Sequence, residues 1–470
     1  MNTIVVLRVQ LLLISFLCFS CGSTNQFIQK DQGKRIDEFV RSLIQKRGLN
    51  MNLGMKIVSL VNGKTLYELN SEKLMIPASN IKLFTAAASL HYFNKEYLFK
   101  TAILEKGNNI ILVGGGDAEL SLAVIDSLSN LVSKRTSQVD TLFIDKGLFD
   151  DLHYGEGWMW DEGSEKYSAP ISALTLNNNC IDFEYSPNQL GFPAKINIFP
   201  DTKYVTVENR SLTVTDTINF KKLKIERDWI GQTNNYLITG EILDWSEKDT
   251  IKKNIAEPDL FTGTVFKENL EFYGTTVNEL SIGDNIPYDD TVLVHYSNPL
   301  YTQLEDMMHN SENLTSESLL KYIGITDSTK GTWENGIHKV KMYLFDEVSI
   351  DTSALRIADG SGLSRYNLLT ADQIVRLLVH MHGEDNGNTF VETLPHGNES
   401  DSRLEGRLFE AQDKIYAKTG SISGVSCLSG YAFSSTQGPL AFSIMINGFV
   451  GSIKPYRDFQ DEVCNWLVKN

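Results

Sequence analysis

Histidine is scarce in this chain, 8 residues in 470, and none falls in an H-E-x-x-H or comparable cluster. A zinc hydrolase needs such spacing to assemble its ligands, so the sequence argues against zinc hydrolysis, and no metal or cofactor is expected. Cysteine is rarer still. Beyond Cys18 and Cys21, only Cys180, Cys427 and Cys464 remain. Three widely spaced thiols lack metal-ligand spacing and cannot all pair with one another, so no essential disulfide is expected. Basic residues are also in deficit, 43 Lys and Arg against 59 Asp and Glu, giving a formal net charge of −16. A nucleic-acid partner would need a clustered basic surface, and this balance speaks against one. The apolar fraction of 42% suits an ordinary globular protein, and the length suggests two or three domains.

Residues 1–20 read as an export signal, with Arg8 the only charge and Leu11–Leu17 the apolar core. That core is too short for a comfortable membrane span. It ends at Phe19-Ser20-Cys21-Gly22-Ser23, which resembles a bacterial lipoprotein signal in which Cys21 becomes the lipidated first residue. Simple secretion, with Cys21 an incidental thiol, is the alternative. The expectation is an exported, periplasmic protein, held to a membrane by a lipid anchor alone.

The chemistry begins at Pro77-Ala78-Ser79-Asn80-Ile81-Lys82, followed by the run Leu83–Leu90. Alanine and leucine favour a helix there, and Pro77 marks its start. Ser79 then lies in the first turn, near unpaired N–H groups that favour negative charge. Lys82, three residues on, shares its face. A serine nucleophile can give its proton to such an amine if burial or a second cation lowers the lysine pKa. S-x-x-K alone is weak. It recurs at Ser318–Lys321, inside an amphipathic helix, where it reads as chance.

Before Ser79, residues 30–47 carry an amphipathic stripe, and Asn62-Gly63 between Met55–Leu60 and Thr65–Leu69 signals a hairpin. From 97 to 290 short β-like runs dominate: Ile110–Val113, Thr141–Ile144, Lys195–Phe199, Tyr204–Val207, Leu212–Thr215 and Tyr236–Ile242. Long helical patterns are few, so this region reads as one or two β-rich inserted domains. Within it, Gly155–Glu162 holds two tryptophans beside acids. It is either a cleft wall or a structural aromatic corner. Helices return from 297: Pro299–His309, Leu314–Gly324, Thr332–Asp346 and Ala371–Met381, with a short one at Val463–Val468. Ser311 and Asn313 sit between the first two. Asp359–Arg365 is a Gly/Ser loop suited to a tight turn. Lys418-Thr419-Gly420 occurs once, leading into the strand-like runs Cys427–Phe433 and Leu440–Phe449. On a strand beside a cleft it offers a cation, a hydroxyl and a position without a side chain.

The order S-x-x-K, S-x-N, K-T-G is the signature of penicillin-binding proteins and serine β-lactamases. With Gly114–Asp117, Gly157–Leu174, Ser311–Leu320, Asp359–Asn367 and Lys418–Gly424 in sequence, the chain resembles the class C, penicillin-binding protein 4-like D-alanyl-D-alanine carboxypeptidase/endopeptidase family. The resemblance covers nearly all of the chain after the signal. It implies an α/β (α+β sandwich) catalytic domain, in two parts at 27–96 and 291–470, split by β-rich domains at 97–290, two and nested.

It further implies attack by Ser79 on the penultimate D-Ala of a peptidoglycan stem peptide through an acyl-enzyme, with Lys82 as base. Ser311, Asn313 and Lys418 would relay protons and hold the peptide, and Thr419 would lie near the terminal carboxylate. Backbone N–H groups of Ser79 and Ser421, beside Gly420, would form the oxyanion hole. Glu162, Tyr167 and Arg365 fall where the family contacts the diamino-acid side chain, which favours the cleft-wall reading of the Trp-rich patch. Stem peptides and β-lactams are the expected ligands, and the oligomeric state, a dimer included, stays open. A β-lactamase would be shorter and would need a water-activating acid that no motif here supplies. A non-catalytic envelope scaffold would have no need for all six motif residues.

Overall fold

The computed structural model describes residues 33–326 and 329–470. The signal segment 1–20 and Cys21 lie outside the described residues. Both ends of the described chain meet in one antiparallel sheet of five strands, ordered Ile415–Ile422, Val425–Ser434, Gly438–Asn447, Asn52–Ser59 and Thr65–Leu69. The strand Gly438–Asn447 shows why two layers cover it. Phe442, Ile444 and Ile446 enter one core, while Ala441 and Met445 enter the other, as side-chain alternation requires. Against the first face pack the helix of residues 33–47 and the C-terminal helix Lys454–Lys469, joined by Phe39 stacked on Trp466 at 5.7 Å. Against the second pack helices Lys82–Tyr92, Leu300–His309, Asn313–Ile323, Trp333–Asp346 and Ala371–Gly383. Lys82 to Leu90 are all buried, so the helix after Ser79 is enclosed on every side, and its alanines allow that close approach.

The region between these parts has its own core, built on residues such as Ile125, Leu142, Phe183, Tyr236 and Phe261. Its largest sheet is mixed, in the order Thr276–Gly283, Gln138–Asp145, Asn109–Val113, Lys100–Lys106 and Asp290–Tyr296. Two three-stranded sheets and a two-stranded pair complete it.

It also holds two helices that the sequence reading did not identify. Leu122–Ser133 buries Ile125, Leu128, Ser129 and Val132 at helical spacing, a stripe blurred by β-branched and serine residues. Pro258–Phe272 is aromatic-rich, and Gly263 lets it lie close to the sheet, since a Cβ there would sit 2.6 Å from Ile144 Cγ1. Tyr236–Ile242 is two strands rather than one. Gly240, at φ +83°, breaks it into Asn235–Thr239 and Glu241–Leu243, which join different sheets. The last helix starts at Lys454, well before the expected Val463, with proline in its first turn where a missing N–H costs nothing.

Candidate active site

Residues Ala78–Ile81 form a 3₁₀ turn that runs straight into the helix at Lys82. Ala78 is held at φ +46°, a left-handed conformation unfavourable for alanine. Two close approaches lock the turn. A Cβ on Gly362 would lie 2.0 Å from the Ala78 carbonyl oxygen, so the loop 359–365 fits only with glycine there. A Cβ on Gly420 would lie 2.7 Å from the Pro77 oxygen and 3.1 Å from the Ser79 nitrogen. Between them, Asn80 Nδ2 donates to the Lys418 carbonyl at 2.9 Å, and Asn80 Oδ1 accepts from Ser429 at 2.7 Å. The strand Ile415–Ile422 is an edge strand, so one side of it is free to face the cleft.

That cleft is a cavity of about 1000 Å³ whose wall brings together Ser79, Glu162, Tyr167, Ser311, Asn313, Arg365, Thr419 and Ser421. Lys82, Lys418 and Gly420 stand behind the wall. Lys82 is fully buried and its Nζ lies 3.2 Å from Ser79 Oγ, 2.7 Å from Asn313 Oδ1 and 2.7 Å from the Ser361 carbonyl. A neutral amine has two N–H bonds and one lone pair. The two acceptors take the N–H bonds, which leaves the lone pair for the serine hydroxyl proton. Burial pushes the Lys82 pKa down to about 8, against the opposing pull of Glu317, Asp359 and Glu312. Lys418 is also fully buried and donates to the Thr419 carbonyl at 3.2 Å. Burial first, and the Lys82 charge second, push its pKa well down.

Asn313 also donates to the Tyr167 carbonyl at 2.8 Å, tying the S-x-N segment to the Trp-rich patch. In that patch Met159, Asp161 and Glu162 face the cavity, whereas Trp158 is tied back by its Nε1 to Asp359 at 3.1 Å. The patch is therefore wall in front and brace behind. Burial and a hydrogen bond to Glu162 push the Tyr167 phenol up.

Several groups around the site are not among the residues singled out from the sequence. Glu317 is fully buried and accepts from Trp333 Nε1 at 2.8 Å and from the amides of Gly360 and Ser361 at 2.9 and 2.8 Å. Burial raises its pKa to about 7. Asp359 accepts from the Gly362 and Ser364 amides and from Asn367 Nδ2, at 2.9, 2.6 and 2.6 Å. These acids shape the loop whose Ser361 carbonyl holds Lys82. Arg403 and Arg457 also line the cleft beside Arg365, with Arg457 donating to Ser421 Oγ at 3.1 Å. Glu317 could have been found from its place in the S-x-N helix. Arg403 lies in a stretch with no motif, and Arg457 lies off the buried stripe of the C-terminal helix, where a charge is ordinary.

Among the described residues no group of His, Cys, Asp or Glu is placed to hold a metal, and no helix is long and apolar enough to cross a membrane. Cys180, Cys427 and Cys464 are free and buried.

Comparison with known proteins gives a family. The sequence model of the D-Ala-D-Ala carboxypeptidase 3 (S13) family matches residues 36–469. A D-alanyl-D-alanine carboxypeptidase from Actinomadura sp. (strain R39) is 33% identical over 427 residues, covering 85% of this chain and 78% of that protein. Among solved structures, penicillin binding protein 4 from Haemophilus influenzae superimposes with a TM-score of 0.79 at 23% identity, over 92% of this chain and 99% of that one. The same protein complexed with a β-lactam gives 0.76 at 22% identity over the same shares. These two likenesses show the fold.

Proposed function

The chain belongs to the D-Ala-D-Ala carboxypeptidase (S13) family, and on that premise we propose that Ser79 is the nucleophile of its acyl-enzyme. The protein is a serine-type D-alanyl-D-alanine carboxypeptidase of the penicillin-binding protein 4-like class, acting on peptidoglycan peptides and binding β-lactams. The observation that carries the nucleophile assignment is Lys82 Nζ, buried, 3.2 Å from Ser79 Oγ and with its pKa lowered to about 8. An amine poised near the working pH is the base a serine needs.

In this reading Lys82 takes the Ser79 proton as Oγ attacks the carbonyl of the penultimate D-Ala. The developing oxyanion is held by the backbone N–H groups of Ser79 and Ser421, a contribution of about 3–4 kcal/mol per donor. Asn313 fixes the Lys82 amine, and Ser311 carries the proton onward to the leaving nitrogen. D-Ala departs, and water then releases the acyl group. Thr419 and Ser421 receive the terminal carboxylate, backed by the guanidinium groups of Arg403 and Arg457. Lys418, buried behind Thr419, acts on the strand and on the charge of Lys82 rather than by touching that carboxylate. Glu162, Tyr167 and Arg365 take the diamino-acid side chain of the stem peptide.

We further read 27–96 and 291–470 as one catalytic unit interrupted by inserted domains at 97–290. The shared five-stranded sheet supports this. Cys21 is read as the lipid-bearing residue that anchors the protein in the cell envelope, its periplasmic face included. The same site would open the D-Ala bond of a cross-linked peptide, since only the leaving group differs.

The deciding experiment incubates purified protein with pentapeptide and cross-linked muropeptides, with and without penicillin, followed by mass spectrometry. Penicillin-sensitive loss of one D-Ala is expected, and splitting of the dimer would add the endopeptidase activity. Intact substrates beside a stable penicillin adduct would leave a penicillin-binding scaffold in place of the peptidase.

A further inference from the structure

A second cavity, of about 440 Å³, lies beside the catalytic cleft and shares Met159 and Glu162 with it. Its walls carry three indoles, Trp158, Trp160 and Trp229. Trp160 is 74% exposed, and its ring centroid lies 5.4 Å from that of Trp229. The two rings together offer an open aromatic face at the mouth of the cavity. Trp229 comes from the inserted region, as does Arg227, which is 5% exposed. Its two terminal nitrogens donate to the Thr233 carbonyl at 2.9 Å and to Asn254 Oδ1 at 3.1 Å. Its Nε is buried and has no hydrogen-bond partner among the described residues. That nitrogen is itself closed off from solvent, and the guanidinium also interacts with Tyr154, another residue of the same wall. Glu257 and Gln232 add further hydrogen-bonding groups to the rim.

We propose that this cavity is a subsite for the amino sugar that carries the stem peptide, so that the inserted region reads the glycan. The proposal rests on the peptidase reading above. A pyranose ring has a face of C–H groups that packs on an indole and an edge of hydroxyl and acetamido groups that needs donors and acceptors. A purely apolar ligand would use the indoles and make nothing of the amide of Gln232 and the carboxylate of Glu257 on the rim. The position also fits the substrate. With the diamino acid at Glu162 and Tyr167, two more residues of extended peptide span roughly 7 Å before the lactyl arm. Glu162 lines both cavities, so the neighbouring one is within that arm's reach.

Two measurements test it. The first compares kcat/KM on a disaccharide-linked pentapeptide and on the free pentapeptide, in the natural chain and in Trp229→Ala. The natural chain should favour the linked substrate about tenfold, the worth of one good aromatic contact, and the variant should bring the ratio to about one. Because each ratio is taken within one protein, partial misfolding cancels. A ratio of one in the natural chain, or one unchanged by the substitution, would overturn the proposal. The second titrates Ser79→Ala protein with the N-acetylglucosaminyl-N-acetylmuramic acid disaccharide alone and follows tryptophan fluorescence. A saturable change that disappears on adding Trp229→Ala supports the subsite, and no change overturns it. This readout needs no turnover, so a failed peptidase reading and a failed sugar subsite give different results.

Discussion

Lys82 and Lys321 each stand three residues after a serine, each on a helix, and each is completely buried. Their surroundings differ in one respect. Lys321 Nζ touches a carboxylate, Asp150 Oδ1 at 2.6 Å, along with the Leu152 carbonyl at 2.5 Å, and it lies 3.9 Å from the centre of the Trp333 ring. Lys82 touches two neutral oxygens and a serine. The acids nearest to it in charge, Glu317 and Asp359, are occupied by backbone and indole N–H groups. One indole serves both regions, since Trp333 supports Lys321 with its face and Glu317 with its edge. Burial lowers the pKa of both lysines, and at Lys321 the contact carboxylate opposes that shift and favours the charge. A lysine given only neutral acceptors, with carboxylates kept one shell away, can lose its proton. The S-x-x-K spacing does not distinguish the two, and the acceptor set does.

The most severe way to break this contrast is at the serines. Ser79→Ala should abolish labelling by a fluorescent penicillin while the far-ultraviolet circular dichroism stays native. Ser318→Ala should leave labelling intact and raise the melting temperature slightly, because Ser318 Oγ is buried without a partner among the described residues. Labelling that survives Ser79→Ala would end the nucleophile assignment. Next come the lysines. Lys82→Ala should slow acylation about a thousandfold, within the usual range for a lost general base. Lys321→Ala should leave the acylation rate of folded protein unchanged and lower unfolding stability by about 3 kcal/mol, by breaking a buried ion pair. Equal kinetic losses in the two variants would erase the distinction.

A smaller loss is expected on the strand side of Ser79. Gly420→Ala puts a methyl group 2.7 Å from the Pro77 oxygen and should cost about a hundredfold in acylation rate by displacing Ser79. Normal rates would mean the turn can yield. The smallest effect sharpens the electrostatics. Activity should rise with pH as Lys82 loses its proton, with a midpoint near its pKa of about 8. The Glu317 charge favours the protonated amine, so Glu317→Gln should move that midpoint to lower pH. An upward move would show that the acid acts on Lys82 through structure rather than charge.

Much of the site was legible because three short patterns recur in a fixed order, and each lies where local rules put it: a turn entering a helix, a gap between helices, an edge strand. The hairpin of Asn52–Ser59 and Thr65–Leu69 was legible from Asn62-Gly63 and the flanking alternation. What escaped notice was set by contacts between distant segments. Arg403 and Arg457 gain their meaning from the cleft they line, and Glu317 and Asp359, though inside the S-x-N and Gly/Ser stretches, gain theirs from contacts those stretches do not reveal. The helices Leu122–Ser133 and Pro258–Phe272 were lost in a region whose valines, isoleucines and aromatics favour strands locally. The C-terminal helix was shortened because its first half is polar outside its buried stripe.

The pairing of Asn52–Ser59 with Gly438–Asn447 carries Ser59 next to Leu440. Two adjacent strands of the five-stranded sheet thus come from opposite ends of the described chain. Loop closure over such a separation is slow, and neighbours in sequence form first. During synthesis the helix after Ser79 has its residues early, while the strand bearing Lys418 and the two strands that follow it in sequence arrive last. The enzyme therefore has no working pocket until almost all of the chain has been delivered, and a product that stops short of residue 415 keeps Ser79 and Lys82 but should stay inert toward penicillin.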